Sequence, residues 1–305
     1  MSRIFVAGLI NIETTLRIDS FPIPYQTARY PFFGVNSTVS GVGYNIAKAL
    51  LTLGDEVSFF SLVGRDFAGD LVRSTLKSEG IDQESVLPLI HTTPQSVILY
   101  DSQGKRAINT DLKDIQETVY PLDFVPQALN SCDLAAICNI NFARPMLELA
   151  IRAGKRIATD VHALGDINDP YNQDYMKSAN ILFISSDNLW DKPEVVADQL
   201  VKRFRNEIIV IGLGAEGSFL KVKGQNAFTC PAVFTRPIIS TIGAGDALFS
   251  CFLHEYLAHD DPFLALTKAS VFSSFKIGTA GAAEGFLCQA ELDNWYKKIF
   301  LDKWI

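Results

Sequence analysis

The sequence predicts an α/β protein: a doubly wound, mainly parallel sheet with helices on both faces, plus a small β-sheet lid. Three observations lead there. Short apolar runs alternate with longer amphipathic stretches, the order that sets parallel strands side by side beneath crossover helices. Two segments, 11–39 and 94–110, break that rhythm and alternate with period two without an intervening helix. Finally, 305 residues with 48% apolar and 20% charged side chains suffice for one large core, and no linker, low-complexity run or repeat divides them. One domain over 1–305 is expected, with the lid inside it.

Each element has its own reason. "RIFVAGLI" (3–10) is a first buried strand. "GYNIAKALLTLG" (43–54) sets Ile46, Ala47, Leu50 and Leu51 on one helical face and stops at Gly54. "EVSFFSLVG" (56–64) is a strand, and "DFAGDLVRSTLKSEG" (66–80) a helix ending at Gly80. Then come "DLAAICNI" (strand), "ARPMLELAIRAG" (helix), "RIATDV" and "ANILFIS" (strands), "KPEVVADQLVKRF" (helix) and "EIIVIGLG" (strand). In the lid segments, "TTLRIDSFP" and "ARYPFFGVNSTVS" alternate locally as antiparallel strands. "PQSVILYDSQGKRAINT" reads as a hairpin around Asp101–Gly104.

Composition excludes several classes. A net charge of −7 argues against binding to a nucleic-acid backbone, which calls for a basic face. No apolar run reaches the roughly 18 to 20 residues that span a bilayer, so no membrane partner is expected. The opening "MSRIFVAGLINIE" has no leader-like cleavage pattern. Five scattered cysteines contain no C-x-x-C pair, which favours a reducing cytoplasm over a disulfide framework.

The chemistry concentrates in "STIGAGDALFS" (240–250). Gly243, Ala244 and Gly245 carry minimal side chains, so their amides can approach an anion closely at a helix start. A carboxylate beside phosphate charge is costly unless it serves as a base. An alcohol attacking a phosphoryl group needs such a base, and Asp246 stands there. The alternative is a glycine turn with Asp246 as a helix cap.

This stretch resembles the second signature, D-T-x-G-A-G-D, of the ribokinase-like (PfkB) carbohydrate kinase family. The resemblance implies that Gly243, Ala244 and Gly245 form an anion hole and that Asp246 is the catalytic base. "SGVGYNIAKALLTLGDEVSFFSLVGRDFAGD" (40–70) is similar to the family's first signature. It puts Gly41, Gly43 and Asn45 at a substrate-binding turn and Gly64 and Asp66 at the later pair. Both signatures occur in the family's order, and the resemblance covers essentially the whole chain.

"GLGAEG" (212–217) satisfies the dinucleotide fingerprint, but the following "SFLKVKG" alternates like a strand where that fingerprint needs a helix. The resemblance instead puts Gly214 and Gly217 beside ATP. The resemblance also puts Gly278, in "FSSFKIGTAGAAEGF" (272–286), near the adenine site.

Three positions depart from the family pattern. Glu13 replaces the N-terminal substrate-binding aspartate; a glutamate still accepts two hydroxyl bonds. Ser240 replaces the leading aspartate of the second signature, which weakens the case for a monovalent-cation site. "SSDN" (185–188) replaces N-x-x-E, with Ser185 and Asn188 at its ends and Asp187 adjacent. Mg2+ is then expected to be held through water and the ATP phosphates, and no protein metal cage is expected.

Lys105 and Arg106 read as solvated turn cations, with a phosphate contact as the alternative. His91, His162, His254 and His259 show no metal spacing. Asp160, which ends "RIATD", and His162 lie where members of the resembled family line the cleft, without a role assigned.

The expected function is therefore ATP-dependent phosphorylation of a primary hydroxyl on a sugar or sugar-like molecule. The alternatives are a nucleoside kinase of the same family and a non-catalytic sugar- or nucleotide-binding sensor, with a dinucleotide oxidoreductase third. The substrate is not legible. An exposed lid sheet offers a surface for a homodimer, although the oligomeric state stays open.

Overall fold

A computed structural model describes residues 1–102 and 105–301; Gly104, expected at the hairpin tip, lies outside them. The chain begins β1 (Arg3–Ala7), β2 (Asn11–Arg17), β3 (Val35–Ser40), α1 (Val42–Leu53), β4 (Glu56–Gly64), α2 (Phe67–Ser78), β5 (Val86–Ile90), β6 (Gln95–Tyr100) and β7 (Arg106–Asp111). It continues with α3 (Val125–Ser131), β8 (Leu134–Ile137), α4 (Arg144–Arg152), β9 (Arg156–Ala163), α5 (Gln173–Ser178), β10 (Ile181–Ser185), α6 (Pro193–Phe204) and β11 (Ile208–Gly212). Last come β12 (Gly217–Val222), β13 (Phe228–Pro231), α7 (Ala244–His259), α8 (Pro262–Lys276) and α9 (Gln289–Tyr296).

Nine strands form the large sheet in the order β13-β12-β11-β10-β9-β8-β1-β4-β5. Pairing is parallel from β11 through to β5 and antiparallel only at β11/β12 and β12/β13. The central strands read as continuous apolar runs because helices cover both faces. One apolar layer gathers Phe249, Phe252, Leu266 and Phe272 from α7 and α8 with Leu50 of α1. The other gathers Leu129, Met146, Tyr175 and Leu200 from α3 to α6. Strand order reverses at β1, which lies between β8 and β4, so a crevice opens at the carboxyl ends of these strands.

The four-stranded second sheet has the order β3-β2-β6-β7. Its hairpins are antiparallel as expected, but they join through β2 and β6 in parallel. The reason lies in the parent sheet: β2 and β6 follow soon after β1 and β5, which point the same way there. Period-two alternation turns Asn11, Glu13 and Thr15 with Ser96 and Ile98 inward. Ile98 packs on Ile242 and Ala282, so the inner face of this sheet reaches the loop ahead of α7.

Candidate active site

Gly243 caps α7 in a left-handed conformation (φ 75°), and a Cβ there would fall 2.5 Å from the Ala282 carbonyl oxygen. Only glycine meets both demands. The first amides of α7 have no carbonyl one turn earlier within the helix. α7 is buried almost all round, between α1 and α8, which explains its largely apolar sequence.

Asp246 sits in the first turn of α7 and is 9% exposed. The cap reading fails: the capping residue is Gly243, and the Asp246 Oδ2 accepts a 2.7 Å hydrogen bond from Asn45 Nδ2 on α1. Burial raises the Asp246 pKa above the usual aspartate value; the Asn45 bond opposes it. A buried carboxylate with a raised pKa and one edge open is a competent proton acceptor.

The Asn45–Asp246 pair ends a chain of bonds. Ser40 Oγ lies 3.3 Å from Asn45 Oδ1 and donates to Glu13 Oε2 at 3.0 Å. Glu13 is not an exposed strand charge: it is 6% exposed, and burial raises its pKa. Among the described residues its second oxygen, Oε1, and the Asn11 Oδ1 are buried acceptors without a well-aligned hydrogen bond, although the Ala282 backbone lies near Glu13 and opposes that rise in pKa. Two such acceptors on one strand face suit a ligand rich in hydroxyl groups. Asn11 and Ser40 were not singled out from the sequence, although the two-residue step from Asn11 to Glu13 is a same-face signal.

Gly41 and Gly43 hold this geometry from behind. Gly41 has φ 109°, and a Cβ on Gly43 would lie 2.5 Å from the Gly8 carbonyl carbon. The amides of Gly43 and Tyr44 donate to Leu9 O, so the start of α1 is tied to the β1–β2 turn. Of the later pair, Asp66 caps α2 by accepting from Gly69 N and also binds Thr93.

Across the crevice, Asp160 on β9 stands closest to Gly245, its Oδ2 3.9 Å from where a Cβ would be. His162 beside it takes a left-handed conformation, with φ 58°. Gly214 opens a short turn of 3-10 helix, and β12 follows directly from Gly217, so no helix presents its N-terminus after "GLGAEG". Gly217 has φ 108° and lies against Cys230 O. Gly278 makes room for Arg236, which bonds Phe275 O at 2.7 Å and stacks 3.7 Å from the Phe275 ring centroid. Asp187 is exposed, and its amide donates to Ser185 Oγ. Among the described residues no three His, Cys, Asp or Glu converge as a metal cage.

Arg106 is exposed, as expected of a solvated cation, but it also has a protein partner. Its Nη1 donates to Thr241 O at 2.8 Å and to Thr241 Oγ1 at 3.0 Å, joining the small sheet to the glycine turn. Lys105 lies 5.5 Å from the centroid of the Phe21 ring. His254 binds Asp55 and Gln289, away from the crevice residues.

A large parallel sheet, a detached sheet over its crevice and a glycine turn opening a buried helix make up a ribokinase-like architecture. The family model "pfkB family carbohydrate kinase" matches residues 1–287, and the chain belongs to that family. It is a kinase of the sugar and nucleoside type. It is 23% identical over 292 residues to an acarbose 7(IV)-phosphotransferase of Actinoplanes sp., covering 95% of this chain and 96% of the relative. An ATP-dependent ribose-1-phosphate kinase of Halopiger xanaduensis is 25% identical over 289 residues, covering 92% and 94%. Among solved structures, a microbiome-derived acarbose kinase, Mak1, superposes with TM-score 0.85 at 24% identity, covering 97% of this chain and 98% of that one. Among the described residues no helix is long and apolar enough to cross a membrane.

Proposed function

We propose that this kinase transfers the γ-phosphoryl group of ATP to a primary hydroxyl of a sugar or sugar-like substrate. Glu13 and Asn11 accept hydrogen bonds from substrate hydroxyls through Oε1 and Oδ1, the buried oxygens that lack a well-aligned donor among the described residues. Asp246 takes the proton from the attacking hydroxyl. The new O–P bond forms as the bond to ADP breaks, and the amides of Gly243, Ala244 and Gly245 hold the transferring oxygens. Gly214, Gly217 and Gly278 belong to the nucleotide side. Mg2+, when bound with the ATP phosphates, neutralises their charge. The small sheet acts as the lid, and its outer face is the surface on which a homodimer would form.

One observation carries this reading: a buried carboxylate, fixed by Asn45, opens the helix that follows a glycine turn. Asp246→Asn keeps the shape and removes the acceptor. Because general-base contributions are about 10²- to 10⁴-fold, kcat should fall at least about 10²-fold with ATP affinity little changed. Near-normal turnover would remove the mechanism. ADP release over a panel of sugars and nucleosides identifies the substrate class. Ligand binding without any turnover would favour a sensor instead.

A further inference from the structure

Lys276 is the last residue of α8, and its side chain is fully buried. Among the described residues its ammonium forms no ion pair; it donates to the backbone carbonyl of Ile242. Burial pulls its pKa down to about 8, against the pull of Asp246, Glu13 and Glu284, while Arg106 adds to the lowering. The group therefore carries its charge at neutral pH. A buried charge without a direct counter-ion is costly and calls for a reason.

The reason is in the loop it holds. The Ile242 carbonyl and the Gly243 N–H belong to one planar trans peptide, so they point in opposite directions. A cation on the carbonyl fixes that plane and polarises the amide on its far side. The preceding carbonyl, of Thr241, accepts from Arg106 at 2.8 Å and from the Ala244 amide at 3.3 Å. The Ser240 and Ile239 amides both donate to Ile277 O, one residue past Lys276. Ser240 is itself buried and contributes a neutral hydroxyl, which accepts from the Ile242 amide at 3.3 Å. Two side-chain cations thus grip consecutive carbonyls behind the turn, and no acidic side chain in the 240–245 segment calls in a third.

We propose that Lys276 is a built-in monovalent cation: by holding the Ile242 carbonyl it sets the Gly243–Ala244–Gly245 amides for phosphate, in place of a diffusible potassium ion. It is a positioning residue, and the inference rests on the anion-hole reading of that turn.

The test is chemical rescue. Wild-type turnover should be unchanged when sodium is exchanged for potassium. Lys276→Met, which fills the space without charge, should lose kcat by about 10²-fold, comparable to removing one oxyanion donor, at any monovalent salt. Lys276→Ala should lose as much and then regain turnover with potassium, ammonium or methylammonium, which can occupy the vacated space.

Several results overturn the inference: marked potassium stimulation of the wild type, a folded Lys276→Met with normal kcat, or a folded Lys276→Ala that no cation rescues. If neither variant folds, the wild-type response decides: stimulation by potassium overturns the inference, and indifference supports it. Asp246→Asn separates the two levels. A normal Lys276→Met beside an inactive Asp246→Asn sinks only the lysine, whereas full turnover in Asp246→Asn sinks the site reading beneath it.

Discussion

Burial raises the Asp246 pKa and the Asn45 amide holds it back; in the proposed mechanism this pair would set the acid side of the activity profile. Removing a donor to the charged form raises a carboxyl pKa further. Asn45→Ala should therefore move the acid limb of kcat/KM to higher pH, by about one unit for a charge-assisted bond of about 1.5 kcal/mol. A limb that stays in place would assign the titration elsewhere, with Glu13 the next candidate because its pKa is raised as well. The same shift bears on stability. A carboxyl whose folded pKa lies above its unfolded value stabilises the fold while protonated, and that contribution is lost as pH rises through the folded pKa. Above its raised folded pKa the buried Asp246 carboxylate is a cost, so at such a pH Asp246→Asn should hold or raise Tm while it lowers turnover. A cap would have given the reverse, a loss of about 1 kcal/mol.

At the scale of elements, the site depends on close backbone approaches. α1 can bring Asn45 to Asp246 only because Gly43 lies directly against Gly8, where a Cβ would come within 2.5 Å of backbone. Gly43→Ala should therefore cost about 1–3 kcal/mol, the usual range for overpacking, visible as a lower denaturant midpoint with unchanged m. Gly80→Ala is the matched control: its φ is 70°, but nothing lies within 4 Å of the added carbon. It pays only the backbone strain. A Gly43→Ala no less stable than that control would mean the β1–β2 turn yields easily. Asp66 shows an element claiming a motif residue for itself. Its carboxylate caps α2 and binds Thr93, and despite some burial those hydrogen bonds hold its pKa below the usual range.

At the scale of the whole molecule, the small sheet meets the rest of the fold at α2, at Asn45 of α1 and at the loop ahead of α7. Ile98 packs on Ile242 and Ala282, and Arg106 binds Thr241. Asn11 and Ser96, joined at 2.6 Å, tie the two hairpins together close to where β2 and β6 leave the core. A sheet held this way should respond as one body when substrate occupies Glu13 and Asn11. Saturating substrate should slow amide exchange across 11–39 and 94–110 together. Protection limited to one segment would show that the hairpins move separately and that the lid reading is wrong.

The sequence by itself determined the alternation of most core strands and helices, the second sheet and the glycine turn with its acid, because each is written in local periodicity or in adjacent residues; β5, α3, β13 and α9 were not read from it. β4 falls on the expected residues 56–64, and α1 stops at Gly54 as its pattern required. Short pieces such as α5, with too few turns to show a period, were not legible. Nor were the partners of each site residue. Asn45 and Asp246 lie 201 residues apart, and Lys276 ends a helix that also carries Lys268, with nothing local to tell the two lysines apart. Only the packing of α8 against α7 brings the Lys276 ammonium to Ile242, and only the bend of the small sheet over the crevice brings Arg106 to Thr241. A hydrogen bond between distant segments leaves no trace in the local pattern of either. The tertiary structure decided which polar groups were paired and which were left open to a ligand.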